Sequence, residues 1–179
     1  INSSKVKYDN ANQVTIFEGN VNSVDEKGNK IFSSYARYNK LNEIIETKGD
    51  TRITTSEGYE VFGSDIIFDN KKNLIYSNNQ TKIIDKSGNN ILVDMFNYSI
   101  STNIFFSKGN IEIFDVNNNN YKFSEIYIDE NRKKIIGSDV KAFLKQESLS
   151  LAVNNEPRFF ANTMSLNKGV NTFDKGIFT

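Results

Sequence analysis

The chain has 179 residues, enough for one domain or one array of repeats, and its 22 basic and 22 acidic residues cancel. That balance, without a long single-sign block, excludes the basic stripe on which nucleic-acid binding depends, and no apolar run approaches the length of a membrane-crossing helix. With neither cysteine nor histidine, the chain has no disulfide framework and lacks the commonest general base and metal ligand.

The apolar supply is Ile, Phe and Tyr, which favour strands, divided by clusters of Asn, Asp, Lys and Gly that favour turns. In chain order, "TIFEGNV" (15–21) reads as the first clear strand. "NKIFSSYARY" (29–38) runs to a turn at Asn39–Asn42, and "EIIETKGDTRITTS" (43–56) returns to a turn at Glu57–Gly58. The same pair then recurs. Gly19, Gly49, Asn79, Gly109, Asp139 and Gly169 step by thirty residues, as do Gly28, Gly58, Gly88 and Asn118, and Tyr38, Phe68, Tyr98 and Ile128. A repeat of this length, built of two strands and two tight turns, predicts an antiparallel meander.

Alternation sharpens the prediction. After each glycine one parity is apolar or small (Val21; Thr51 and Ile53; Thr81 and Ile83; Ile111 and Ile113) and the other is polar, so one face is buried. In the companion strand Ile31, Val61, Ile91 and Tyr121 share one parity, while Ala36 with Tyr38, Ile66 with Phe68, and Phe96 with Tyr98 share the other. A strand that changes its inward parity midway is turning from one sheet to another. The expected fold is therefore all-β: a bent, two-sheet antiparallel β-jellyroll of about thirty-residue repeats. Its apolar interior is either a closed core or a groove, which alternation does not separate.

The unit in "TIFEGNV" and "FFSKGNI", followed by a strand like "SSYARYN", resembles the OstA/LptA-like β-jellyroll family of the lipopolysaccharide transport machinery. "NEPRFFANTMSLNKGVNTFDKGIFT" (155–179) is similar to a segment of LptD-type outer-membrane assembly proteins, with Glu156, Pro157 and Arg158 in one motif and Lys175 to Thr179 in another. The resemblance implies a single periplasmic domain over residues 1–179, with 155–179 leading toward a membrane barrel. It implies that lipopolysaccharide acyl chains lie in an apolar groove and are delivered to that barrel without chemistry or cofactor. A free-standing LptA-like bridge is the alternative. From other classes, a polysaccharide-acting β-helix or a purely structural stack also uses repeated apolar ladders.

The inward residues expected to touch lipid are Ala36, Tyr38, Ile53, Ile66, Phe68, Ile83, Phe96, Tyr98, Phe105, Ile111 and Ile113. Val14, Ile16, Phe17 and Val21 are expected to form a free edge strand that receives an LptA-like jellyroll by strand addition. The resemblance further implies an LptE-type lipoprotein as a partner of the full-length protein, which would reside in the outer membrane. Asp65, Asp94, Glu125 and Asp139 read as bend or edge residues rather than a catalytic pair, and "DVNNNNYKFSE" (115–125) lacks the central glycine of a calcium loop.

Overall fold

The computed structural model describes residues 1–145, 157–167 and 170–179. Glu156 of the first C-terminal motif and Gly169 of the thirty-residue series lie outside the described residues. The described residues form sixteen strands, and every neighbouring pair among them is antiparallel. β1 (Lys5–Asp9), β2 (Val14–Val24), β3 (Lys30–Asn39) and β4 (Ile44–Thr54) open the meander. β5 (Glu60–Ser64), β6 (Ile67–Asp69), β7 (Leu74–Ser77), β8 (Thr81–Ile84), β9 (Asn90–Val93) and β10 (Phe96–Ser99) are the short strands of its middle. β11 (Ile104–Phe114), β12 (Asn120–Asp129), β13 (Lys134–Phe143), β14 (Arg158–Asn167), β15 (Val170–Asp174) and β16 (Ile177–Phe178) complete it.

The long strands belong to two sheets at once. The second half of β4 pairs β5, while its first half pairs β6, and the same division runs through β11, which pairs β9 with one half and β10 with the other. Between the halves the register slips, between Glu18 and Val21 in one hairpin and between Lys108 and Ile111 in another. Gly19, Gly49 and Gly109 stand at these slips with φ of +72°, +69° and +109°, a region that glycine enters without steric cost. In the middle units the bend interrupts the strand completely, separating β5 from β6, β7 from β8 and β9 from β10.

Side-chain hydroxyls repair the bonds lost at the corner. Thr47 Oγ1 donates to the Ile66 carbonyl and accepts from the Ile66 N–H; Ser77 Oγ donates to Ser64 O and Ser107 Oγ to Met95 O, at 2.9 and 2.7 Å. All three are at most 2% exposed, where an unpaired polar group is costly. The carboxylates of the bend act likewise. Asp65 accepts from Gly49 N–H and Asn79 Nδ2, Asp94 from Asn110 N–H and Nδ2, and Asp139 from Ser124 Oγ. Glu125 lies 3.9 Å from Lys108 Nζ.

The turns repeat as strictly as the strands. At one end Asp25, Asp85 and Asp115 each accept two backbone N–H bonds and the Nδ2 of the Asn four residues on. "DVNNNNYKFSE" thus begins with a turn whose carboxylate is spent on its own backbone. At the other end Gln13, Glu43, Asn73, Asn103 and Lys133 all take φ near +50°. Four of these residues give their carbonyls to the next turn: Lys40 N–H to Gln13, Asn70 to Glu43, Ile100 to Asn73 and Glu130 to Asn103.

Burial raises the carboxyl pKa of Asp25 and Asp115, but the hydrogen bonds from Asn29 and Asn119 outweigh it and hold both below the ordinary value. A depressed carboxyl contributes stability above its unfolded value, near ~4, and that contribution is lost as pH falls through the folded values. Asp25→Ala is expected to lower Tm by about 2–4 °C at neutral pH, from about 1 kcal/mol of lost turn bonds. Thermal melts of the variant and parent should converge toward pH ~2, where the carboxyl is protonated in both states.

One expectation is corrected here. β1 pairs with β2 from Lys5–Glu18 to Asp9–Val14, so Val14, Ile16 and Phe17 lie one strand inside the sheet and β1 is its outer strand. In the other sheet the Val21 half of β2 is met only by an isolated bridge, Asn2 to Asn22. Val6, Tyr8 and Asp9 stand thirty residues before Ala36, Tyr38 and Asn39. β1 thus holds the place that the second half of β3 takes in the next unit, and the repeat extends one strand further back than expected.

Candidate functional site: the apolar trough between the sheets

The two inner faces share one core. Ile53, Val93, Ile111, Phe123 and Val140 from one sheet pack in the same cluster as Ile66, Phe68, Phe96 and Ile126 from the other. Burial is graded along several strands, while in β4, β6 and β8 it continues outward to Ile53, Phe68 and Ile83. Beside the corner, Ile66, Val93, Ile111 and Ile126 are at most 2% exposed. One inward step further out, Ile31, Ile45, Val61, Ile75, Ile91, Tyr98, Phe105, Ile113, Tyr121 and Ile128 are half-buried. The sheets are thus closed at the corner, and the outer inward row is a near-continuous apolar ladder in which half-buried residues stand beside the buried Ile53, Ile83 and Phe68.

The eleven residues expected to touch lipid divide along this gradient. Ala36, Ile53, Ile66, Phe68, Ile83, Phe96 and Ile111 are buried against their neighbours. Tyr38, Tyr98, Phe105 and Ile113 are half-buried and face the looser part of the interior. Phe96 stacks on Phe105 with ring centroids 6.2 Å apart and planes 10° from parallel, so an aromatic pair joins the packed layer to the open one.

Sequence reasoning missed a polar tie across the trough. Tyr59, at the turn leading into β5, donates its hydroxyl to Glu130 Oε1 at 3.2 Å, in the turn between β12 and β13 of the opposite sheet. Seventy-one residues separate the two. Burial raises the Tyr59 phenol, and the charge and hydrogen bond of Glu130 push it further, to about 12. Burial likewise raises Tyr98, with the charges of Glu130 and Glu57 adding to the effect. Each raised phenol contributes stability that is complete below the unfolded value, near ~10, and is lost as pH rises through the folded value. Thermal stability is therefore expected to decline between pH ~10 and ~12, less steeply in Tyr59→Phe, as melting curves over that range will show.

No family model and no curated protein matches the chain. Among solved structures, it is similar to LptH, described as the LptA-homologous periplasmic component of the conserved lipopolysaccharide transport device from Pseudomonas aeruginosa. The superposition has a TM-score of 0.53 at 16% identity, and covers 60% of this chain and 79% of that one. The two chains share a fold. At that identity the likeness is one of fold alone.

Among the described residues no helix is long and apolar enough to cross a membrane.

Proposed function

We propose that this chain is an OstA/LptA-like periplasmic element of lipopolysaccharide transport, sheltering acyl chains between its two sheets. The observation that carries the reading is the half-buried inward ladder from Ile31 to Ile128, lying outside a layer that is already packed. Each buried methylene is worth roughly 0.8 kcal/mol, so such a ladder holds an alkyl chain by contact area alone. Tyr38, Tyr98, Phe105 and Ile113 are the lipid-contacting residues of this reading. Ile53, Phe68 and Ile83 stand buried within the same row, and Ala36, Ile66, Phe96 and Ile111 support it from the corner side. The Tyr59–Glu130 tie holds the rims of the two sheets together at one point.

The finer proposal is that residues 1–179 are one LptD-like domain whose final stretch, with Pro157, Arg158 and Lys175 to Thr179, leads toward an outer-membrane barrel and an LptE-type lipoprotein. A LptA-like jellyroll would then join at the β1 side. Here β1 is fully exposed along its length, and its unpaired backbone groups are suited to strand addition. The reading is tested by fractionating cells that make the whole protein. Recovery with the outer membrane is the expected result. Recovery in the periplasmic fraction would favour the free-standing bridge, and failure of the pure domain to bind lipopolysaccharide in a fluorescence titration would overturn both.

A further inference from the structure

A second concave surface lies outside the trough, on the outward face of the sheet that contains β5 and β8. It is a cleft of about 870 Å³ running across the strands from Asn20 to Gln80. One wall follows from the register: Phe32 pairs Arg52, and Arg52 pairs Phe62, so three outward side chains stand side by side. Both phenyl rings are 36% exposed. The Arg52 guanidinium sits 5.5 Å from the Phe62 ring centroid and is fixed by Glu60 Oε2 at 3.1 Å. The other wall is made by corner residues, among them Ser34, Asp50 and Gln80.

Two features separate this cleft from an ordinary bend. Asp65, at an equivalent corner, is spent on Gly49 N–H and Asn79 Nδ2, whereas the side chains of Asp50 and Gln80 have no partner among the described residues. The opposite wall leaves the Phe32 ring, and the part of the Phe62 ring that Arg52 does not cover, open to water, on a sheet face that also carries Asn22, Lys82, Leu92, Glu112 and Lys122. A ligand suited to both walls needs a flat apolar face for the rings and hydroxyl groups for the carboxylate and amide. An acyl chain would leave Asp50 and Gln80 without partners. A nucleic acid would bring its phosphates against Asp50. A pyranose meets both requirements, with C–H groups on one face and hydroxyls around its edge. The cleft spans five strands, about 19 Å at ordinary strand spacing, which suits a short oligosaccharide rather than one sugar.

We infer that this outer cleft is a glycan-binding site, with Phe32 and Phe62 as stacking platforms and Asp50 and Gln80 as hydroxyl partners. It lies outside the acyl-chain trough and does not depend on that trough's being a lipid site. The test is a backbone-amide NMR titration of the whole chain with two probes free of lipid, maltohexaose and the core oligosaccharide released from lipopolysaccharide by mild acid. At least one probe should shift the amides around Phe32, Arg52 and Phe62. Phe62→Ala and Asp50→Ala should each weaken that binding at least tenfold, while Lys141→Ala on the same sheet leaves it unchanged and all three keep the parent's melting temperature. No shift at the cleft with either probe at millimolar concentration would overturn the inference. So would undiminished binding by folded Phe62→Ala and Asp50→Ala, or shifts confined to the trough.

Discussion

Ile111→Asp is expected to abolish folding, whereas Ile113→Asp, two residues along the same strand and on the same face, leaves a folded domain that no longer holds acyl chains. Both side chains come from β11 and point inward, with Ile111 opposite Val93 and Phe123 and Ile113 opposite Ile91 and Tyr121. Their depths differ. Ile111 is 1% exposed within the packed layer, while Ile113 is half-buried in the looser row. A carboxylate at 111 has no partner and no water, a penalty of several kcal/mol against a total stability of about 5–15 kcal/mol. At 113 the carboxylate reaches solvent, and the loss is about 1–2 kcal/mol of apolar contact. Circular dichroism and thermal melting separate the two outcomes, and a lipopolysaccharide-binding titration of Ile113→Asp reads the second. If Ile113→Asp stays folded and binds as tightly as the parent, the half-buried row is not the lipid surface.

Gly109→Val is expected to cost about 3 kcal/mol or more. Gly109 has φ of +109°, and a Cβ there would stand 2.9 Å from Asp94 Oδ2 and 3.1 Å from Asp94 Cβ. A β-branched residue is strained in that conformation by about 1–3 kcal/mol. Asp94 cannot retreat without giving up its bonds to Asn110 N–H and Nδ2, at 2.8 and 2.9 Å. Those two terms add at one site, because the carboxylate that clashes is also the one that ties β11 back at the corner. Chemical denaturation should show a lowered midpoint with little change in slope. A variant as stable as the parent would mean that the corner relaxes freely and that the repeated glycine is not a structural requirement.

The corner was legible because its signal is doubled: a glycine, or Asn79 or Asp139 in its place, recurs every thirty residues, and the inward parity changes nearby. Gly19, Gly49 and Gly109 could be placed on the bend before any coordinates. The companion series at Gln13, Glu43, Asn73, Asn103 and Lys133 has the same spacing and the same left-handed backbone, and Asn suits it, yet at Gln13, Glu43 and Lys133 the residue type does not favour it. At Gln13 and Glu43 the turn imposes the conformation through backbone bonds to the next turn, and side-chain chemistry carries no trace of it. Thr47, Ser77 and Ser107 fall between the two cases. Their thirty-residue spacing was visible, but a small polar residue before a glycine reads as surface until its carbonyl partner is known.

Depth within the interior was not legible at all. Alternation tells which side of the sheet a residue faces, but Ile111 and Ile113 share a side and differ in burial, and Ile113 differs again from the buried Ile53 and Ile83 at the same step of earlier units. The same limit grouped Ile66 with Tyr98 among the expected lipid contacts. The Tyr59–Glu130 tie joins residues too far apart in the chain, and too ordinary in type, for a single sequence to connect. The outer strand β1 was legible, although the expected sheet began at Val14: Val6 and Tyr8 alternate with Lys5 and Lys7 and stand thirty residues before Ala36 and Tyr38.

Site-specific photocrosslinking in cells that make lipopolysaccharide tests the central claim most directly, with the probe placed in turn at Ile113, Tyr98 and the outward-facing Lys82. Lipopolysaccharide adducts at Ile113 and Tyr98 and none at Lys82 are the predicted result. A folded, correctly located protein that forms no adduct at Ile113 or Tyr98, or one that labels equally at Lys82, would contradict the account and leave the ladder as the core of a structural stack.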